Sequence, residues 1–184
     1  PAFGSFWSYC EIPTEIVDLL DRIKKRETYI GQFAIIGAII PFLSFSDSFF
    51  RGYPVQLWID NTGAVGGLVQ GYSGKPDCAK LVNTFHFAVA HLGIDSLYID
   101  YVPSESNIAD VPSRWHEMSP AEHAYWEPLF GSWVSPVIPS FADSHGEWTS
   151  YTSIAASLWK RCLDGPTPSG CRTPVRVSSR VQSQ

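Results

Sequence analysis

The chain lacks an apolar run long enough to cross a bilayer. Its best stretch, "IGQFAIIGAIIPFL" at residues 30–43, has 14 residues, whereas a transmembrane helix needs about 20. This stretch therefore predicts a buried helix rather than a membrane anchor. The sequence also lacks a signal-peptide pattern and a Met at position 1. We therefore expect a fragment of a longer protein, or a chain processed at its start, with no membrane partner.

Cysteine is scarce and poorly spaced for any framework. No two of Cys10, Cys78, Cys162 and Cys171 have the spacing of a zinc knuckle, and four thiols in 184 residues do not make a disulfide scaffold. The five histidines also lack tight metal-ligand spacing and are expected to be ordinary residues. These absences predict a reduced, intracellular protein, without distinguishing the cytoplasm from the nucleus.

Positive charge is in short supply over most of the chain. The net charge is −5, and the residues from Lys160 onward carry five basic residues and one acid, which is +4. The remaining 159 residues carry eight basic and 17 acidic residues, which is −9. We therefore expect this acidic part of the chain to be a poor electrostatic match for nucleic acid unless cations intervene or the basic tail contributes.

Apolar residues make up 45% of the chain, which predicts one domain with a sizeable core. From residue 115 onward Pro, Ser, Gly and aromatics mix, so residues 115–184 are expected to form a C-terminal extension with a short helix at 119–130 and disorder over 164–184. The order of elements predicts an α/β fold with helices packed on a sheet. These predicted elements are strand 2–10, helices 14–25 and 28–43, strand 55–60, a helix capped by Asn61 or Thr62, helix 77–93 and strand 96–103.

Three glycines stand in the predicted helix after residue 61. Gly63, Gly66 and Gly67 each cost about 0.5–1 kcal/mol relative to alanine in a helix. Such a cost indicates a backbone that must approach a neighbouring strand or a ligand closely. Lys75, near the start of the next helix, either contacts a phosphate backbone or is simply solvated.

Two carboxylates follow predicted strands. Asp60 ends the strand in "VQLWIDNTGAV", and Asp110 lies beyond the strand in "SLYIDYVP". Asp60 is either a helix-cap acid or a ligand, and Asp110 is either a surface acid or a ligand. A ligand role is considered because sites in α/β folds gather where strands end. If the two strands are neighbours, a divalent cation such as Mg²⁺ or Mn²⁺ would relieve the repulsion between the two carboxylates.

Two segments in this order resemble the ribonuclease H domain of retroelement reverse transcriptases, in the branch without a histidine-bearing final loop. They are "LWIDNTGAVGGLVQGYS" and, about 40 residues later, "YVPSESNIADVPSR". The resemblance covers residues 1–114 and makes Asp60 the third metal ligand. Asn107, Ala109 and Asp110 match the Asn-x-x-Ala-Asp pattern whose acid is the fourth ligand.

The resemblance implies a mixed sheet flanked by helices, with two Mg²⁺ or Mn²⁺ ions that hydrolyse the RNA strand of an RNA–DNA hybrid. It also implies a polymerase domain upstream. Asp60 and Asp110 would be the catalytic and metal-binding residues. Apart from the resemblance, we predict Asn61, Lys75 and Arg114 as residues that contact nucleic acid. Arg114 equally fits an ion pair with Asp110 one helical turn away.

The sequence departs from this family at two ligands. The strand that carries the first Asp would precede Pro1, and "TYIGQFAIIGA" has Ala34 where the pattern has Glu. We therefore expect weak or absent metal binding and impaired cleavage. The alternatives are a non-catalytic remnant that binds nucleic acid or braces a polymerase domain, and a fragment that is no functional unit.

Overall fold

The protein is described by a computed structural model covering residues 6–25, 28–45, 50, 53–139, 141, 148 and the backbone of 176–178. It is an α/β protein, as predicted. Its helices are α1 (Thr14–Lys24), α2 (Ile30–Ser44), α3 (Thr62–Gln70), α4 (Pro76–His91), α5 (Asp110–Ser113) and α6 (Pro120–Phe130), with 3₁₀ turns at Ser104–Ser106 and Trp115–Glu117. Its strands are β1 (Phe6–Trp7), β2 (Val55–Ile59), β3 (Leu97–Tyr101), β4 (Ser132–Trp133) and β5 (Arg176–Ser178).

Two small sheets replace the single mixed sheet that was predicted. One pairs β1 with β4, and the other has the order β3-β2-β5. Each pairing among the described strands is parallel, so the expectation of a mixed sheet is wrong for this part of the chain. The aromatic strand predicted at 2–10 therefore does not join β2 but pairs with a segment of the C-terminal extension. Most of the tail predicted to be disordered lies outside the described residues.

Helix α2 is the centre of the core. Its residues from Gln32 to Leu43 are buried, as the lack of a polar face predicts. Pro41 does not end the helix where it stands, since α2 continues to Ser44 and the Phe45 N–H bonds to the Pro41 carbonyl. A proline removes a donor and crowds the preceding turn, and the helix stops within one turn after it.

The C-terminal extension contributes to the same core. The Val137 N–H donates to Ser44 Oγ at 2.9 Å, and Phe141 is 1% exposed within the core cluster. In β1, the centroid of the Trp7 ring lies 4.9 Å from the ring centroid of Trp115 and 4.8 Å from that of Trp133. Residues on both sides of position 114 therefore pack together.

Candidate nucleic-acid interface

The end of β2 leads directly into a capped helix. Asn61 has extended backbone dihedrals, and its Oδ1 accepts the Ala64 N–H at 2.9 Å. This satisfies one of the N–H groups that a helix start leaves unpaired. The prediction that Asn61 or Thr62 caps α3 is confirmed for Asn61. Asp60, one residue earlier, is half-buried between the strand and this cap.

The first turn of α2 lies beside this cap. A Cβ at Gly31 would stand 4.0 Å from Asn61 Oδ1. Residues three apart in a helix share a face, so Ala34 lies one turn further along on the side of α2 that approaches the end of β2. Ala34 is 8% exposed. Its methyl group supplies no oxygen ligand at the position where the family pattern has Glu.

A cavity of about 970 Å³ opens between α2, α3 and the start of α4. We name it the glycine cavity, because it is lined by Gly31, Gly63, Gly66, Gly67 and Gly74 together with Asn61, Gln32, Lys25 and Lys75, among others. Lys25 and Lys75 are the charged residues in its described lining, with no acid. The cavity is therefore locally basic in an acidic protein.

The glycines of α3 serve two different purposes. A Cβ at Gly67 would lie 3.4 Å from Val82 Cγ2, so this glycine lets α3 approach α4. A Cβ at Gly66 would meet nothing within 4 Å. The close neighbour of Gly67 is therefore a helix and not the predicted strand, while a ligand at the open space beside Gly66 stays a prediction.

A buried polar pair joins α2 to α4 beside this cavity. Gln32 Nε2 donates to Asp77 Oδ2 at 2.6 Å, and Asp77 is 0% exposed. A buried carboxylate is costly unless it is hydrogen-bonded, and a helix start also favours negative charge. In the sequence, Asp77 stands only as an acid near the start of the predicted helix 77–93. The signal that it has a buried partner is Gln32, the one long polar side chain in an otherwise apolar helix.

Asp110 is held by the asparagine of its own motif. The Asn107 Nδ2 donates to Asp110 Oδ1 at 3.4 Å, and Asn107 Oδ1 accepts the Ala109 N–H at 3.1 Å. Asn107 is buried. The spacing Asn-x-x-Ala-Asp thus has a local reason, since one amide fixes both the backbone and the carboxylate of this turn.

A second cavity of about 730 Å³ contains Asp110. We name it the acidic cavity, because its described lining includes four acids and one arginine: Glu105, Asp110, Glu117, Glu122 and Arg114. Hydrogen bonds from the Ser119 side chain and backbone lower the pKa of Glu122, which keeps this carboxylate ionised. Arg114 is exposed at the cavity wall.

The structure divides four of the five predicted site residues between the two cavities, and Asp60 is in the described lining of neither. It brings Asn61 and Lys75 together in the glycine cavity, and Asp110 and Arg114 together in the acidic cavity. Asp60 and Asp110 lie beyond the carboxyl ends of the adjacent parallel strands β2 and β3. Within the described part of the chain, no group of three or more His, Cys, Asp or Glu side chains is placed to hold a metal ion.

This set of oxygens does not fit a two-metal centre. Such a centre needs several carboxylates around each pair of ions, and Ala34 contributes none. We therefore derive no catalytic step through a metal. In the described part of the chain, no helix combines the length and apolar character needed to cross a membrane.

Comparison with known proteins adds no relative. No protein-family model matches the chain, and neither a search of curated proteins nor one of solved structures finds a match.

Proposed function

We propose that this chain is a ribonuclease H-like domain of a retroelement reverse transcriptase that binds an RNA–DNA hybrid through the glycine cavity and cleaves it poorly. The observation that carries the proposal is the meeting of Asn61 and Lys75 in one cavity that holds two lysines and no acid in its described lining. Open space at Gly66, where an added Cβ would meet nothing within 4 Å, and the start of α3 lie beside them. Phosphates bind where backbone N–H groups and lysines converge.

Impaired cleavage follows from the composition of the site. Asp60 and Asp110 are the two ligands that the resemblance retains, and Ala34 stands where the pattern has its second ligand, a Glu. Mg²⁺ or Mn²⁺ held by so few protein oxygens depends on substrate phosphates for its other ligands, so metal binding is expected to be weak. An upstream polymerase domain as partner rests on the resemblance alone.

The second candidate is a remnant that binds nucleic acid and has no nuclease activity. Ala34 favours it, because this methyl group belongs to a helix that is apolar nearly throughout. The two candidates share the binding surface and differ only in turnover.

Hybrid binding tests the proposal. We expect a labelled RNA–DNA hybrid to bind with an affinity that falls as salt rises. Lys75→Ala should weaken binding about fivefold and reduce the salt slope by about 1. Lys80→Ala is the matched control, because Lys80 is on the same helix but lies over the Trp148 ring rather than in the cavity. Equal effects of both substitutions would rule out the glycine cavity as the binding surface.

Cleavage separates the two candidates. The purified chain is incubated with Mn²⁺ and the same hybrid, with Asp60→Asn as the matched variant. Slow cleavage that Asp60→Asn abolishes identifies an impaired nuclease. Binding without any cleavage identifies the non-catalytic remnant.

A further inference from the structure

The two edges of β2 pair with neighbouring strands over different lengths. On one edge β3 pairs with all five residues from Val55 to Ile59. On the other edge β5 pairs with Gln56–Trp58 only. Strand β5 comes from the far end of the chain, after residues 60–175, so no short connection fixes it in place. An open strand edge invites pairing with another segment.

Hydrogen bonds to β3 show which groups of β2 face the other edge. The Val55 N–H donates to the Ser96 carbonyl at 2.8 Å, and the Ile59 carbonyl accepts the Val102 N–H at 3.0 Å. Alternate residues of a parallel strand direct their backbone groups to opposite neighbours. Gln56 and Trp58 therefore direct their N–H and C=O groups toward β5.

The register shows which residue of β5 lies opposite Leu57 and that this residue is apolar. Val177 is opposite Leu57, and by the same alternation its backbone N–H and C=O face β2. Leu57 is fully buried on the core side of β2. A strand seated on this edge therefore needs an apolar residue opposite Leu57, and the chain has Val177 in that register position.

We propose that the backbone of Gln56 and Trp58 forms an acceptor site for one parallel peptide strand, which the chain's own β5 occupies. The site takes an extended segment with an apolar residue opposite Leu57. Since three register pairs hold β5 among the described residues, against five for β3, it exchanges with a matching segment supplied by another molecule. This acceptor site does not depend on the proposed function.

Two proline substitutions in the full chain test the site. Val177→Pro removes an N–H that faces β2, whereas Ser178→Pro removes one that faces away. We expect Val177→Pro to speed hydrogen exchange of the Gln56 and Trp58 amides about tenfold, the size expected for losing one hydrogen bond. The Leu57 amide faces β3 and serves as an internal reference. Equal effects of the two prolines, or an equal rise at Leu57, would overturn the proposal.

Exchange in trans is tested on the Val177→Pro protein. A synthetic peptide of residues 173–181 is expected to restore protection of the Gln56 and Trp58 amides, and the same peptide carrying Val177→Pro is not. Failure of the unmodified peptide overturns the acceptor site. The unsubstituted chain is also measured at decreasing concentration. If it forms a dimer and the Gln56 and Trp58 amides lose protection when the dimer dissociates, the occupant is not β5 of the same chain.

Discussion

The two cavities differ in charge and in how their polar groups are held. The glycine cavity has two lysines in its described lining, its walls include helix backbone, and its lining residue Gln32 donates a hydrogen bond to the buried Asp77 behind the wall. The acidic cavity has four acids and one arginine, held largely by local hydrogen bonds such as those of Asn107. The sign of charge therefore makes the first complementary to phosphate and the second to cations. The resemblance drew residues from both, and the structure separates them.

The largest expected effect comes from removing the hydrogen bond between Gln32, in the lining of the glycine cavity, and Asp77. Gln32→Met keeps the side-chain length but removes the donor to Asp77, and we expect a loss of about 2–3 kcal/mol in the free energy of unfolding, as for a buried hydrogen bond to a charged group. Urea unfolding measures it. The double variant with Asp77→Asn should lose less than the sum of the single variants. Additive losses would show that the two residues are not coupled.

The corresponding substitution in the acidic cavity is Asn107→Ala. It leaves the buried Ala109 N–H without the Asn107 acceptor and removes the hydrogen bond from Asn107 to Asp110, so we expect a loss of about 1–2 kcal/mol in unfolding free energy. Hybrid binding should stay within about twofold of the unsubstituted chain, because Asn107 does not line the glycine cavity. A large loss of hybrid affinity in a folded variant would contradict the separation of the two cavities.

Gly66→Ala sharpens the comparison by separating stability from binding. The added methyl group meets no neighbour within 4 Å, so the helix should gain about 0.5–1 kcal/mol in unfolding free energy. The same methyl group covers open backbone of the glycine cavity and should weaken hybrid binding. Gly67→Ala is the control that contacts Val82 instead. Unchanged hybrid affinity in Gly66→Ala would show that this backbone does not contact the ligand.

The smallest expected effect concerns pH at the acidic cavity. Ser119 lowers the pKa of Glu122 below its usual value, so its contribution to stability is present above the usual pKa and is lost as pH falls through the folded pKa. Ser119→Ala should raise the Glu122 pKa toward its usual value and reduce the loss of stability at acid pH. Carboxyl NMR titration measures the pKa, and an unchanged value would contradict this role of Ser119.

Local features were predictable where a local pattern determines them. The apolar spacing of α1, the apolar surface of α2 and the cap at Asn61 depend on neighbours within one or two turns. The motif around Asp110 is also local, because Asn107 holds it within three residues. These parts of the fold and of the candidate site could be read from the sequence.

Long-range packing was not predictable in this way. The hydrogen bond between Gln32 and Asp77 spans 45 residues, and the meeting of Asn61 with Lys75 depends on how α3 turns back toward α4. The sequence pattern also gave no reason for β1 to pair with β4 rather than join β2. Such contacts depend on the closure of long loops and on shape, which residue spacing does not record.

The contact between Val137 and Ser44 has a consequence for synthesis of the protein. Helix α2 is complete when residue 44 has been made, but the core cluster also contains Phe141. A ribosome adds about 5–20 residues per second, so the interval between the two is roughly 5–20 s. During that time the apolar helix α2 lacks the part of its packing that Phe141 supplies. We therefore expect chaperones to bind the nascent chain until translation passes Phe141.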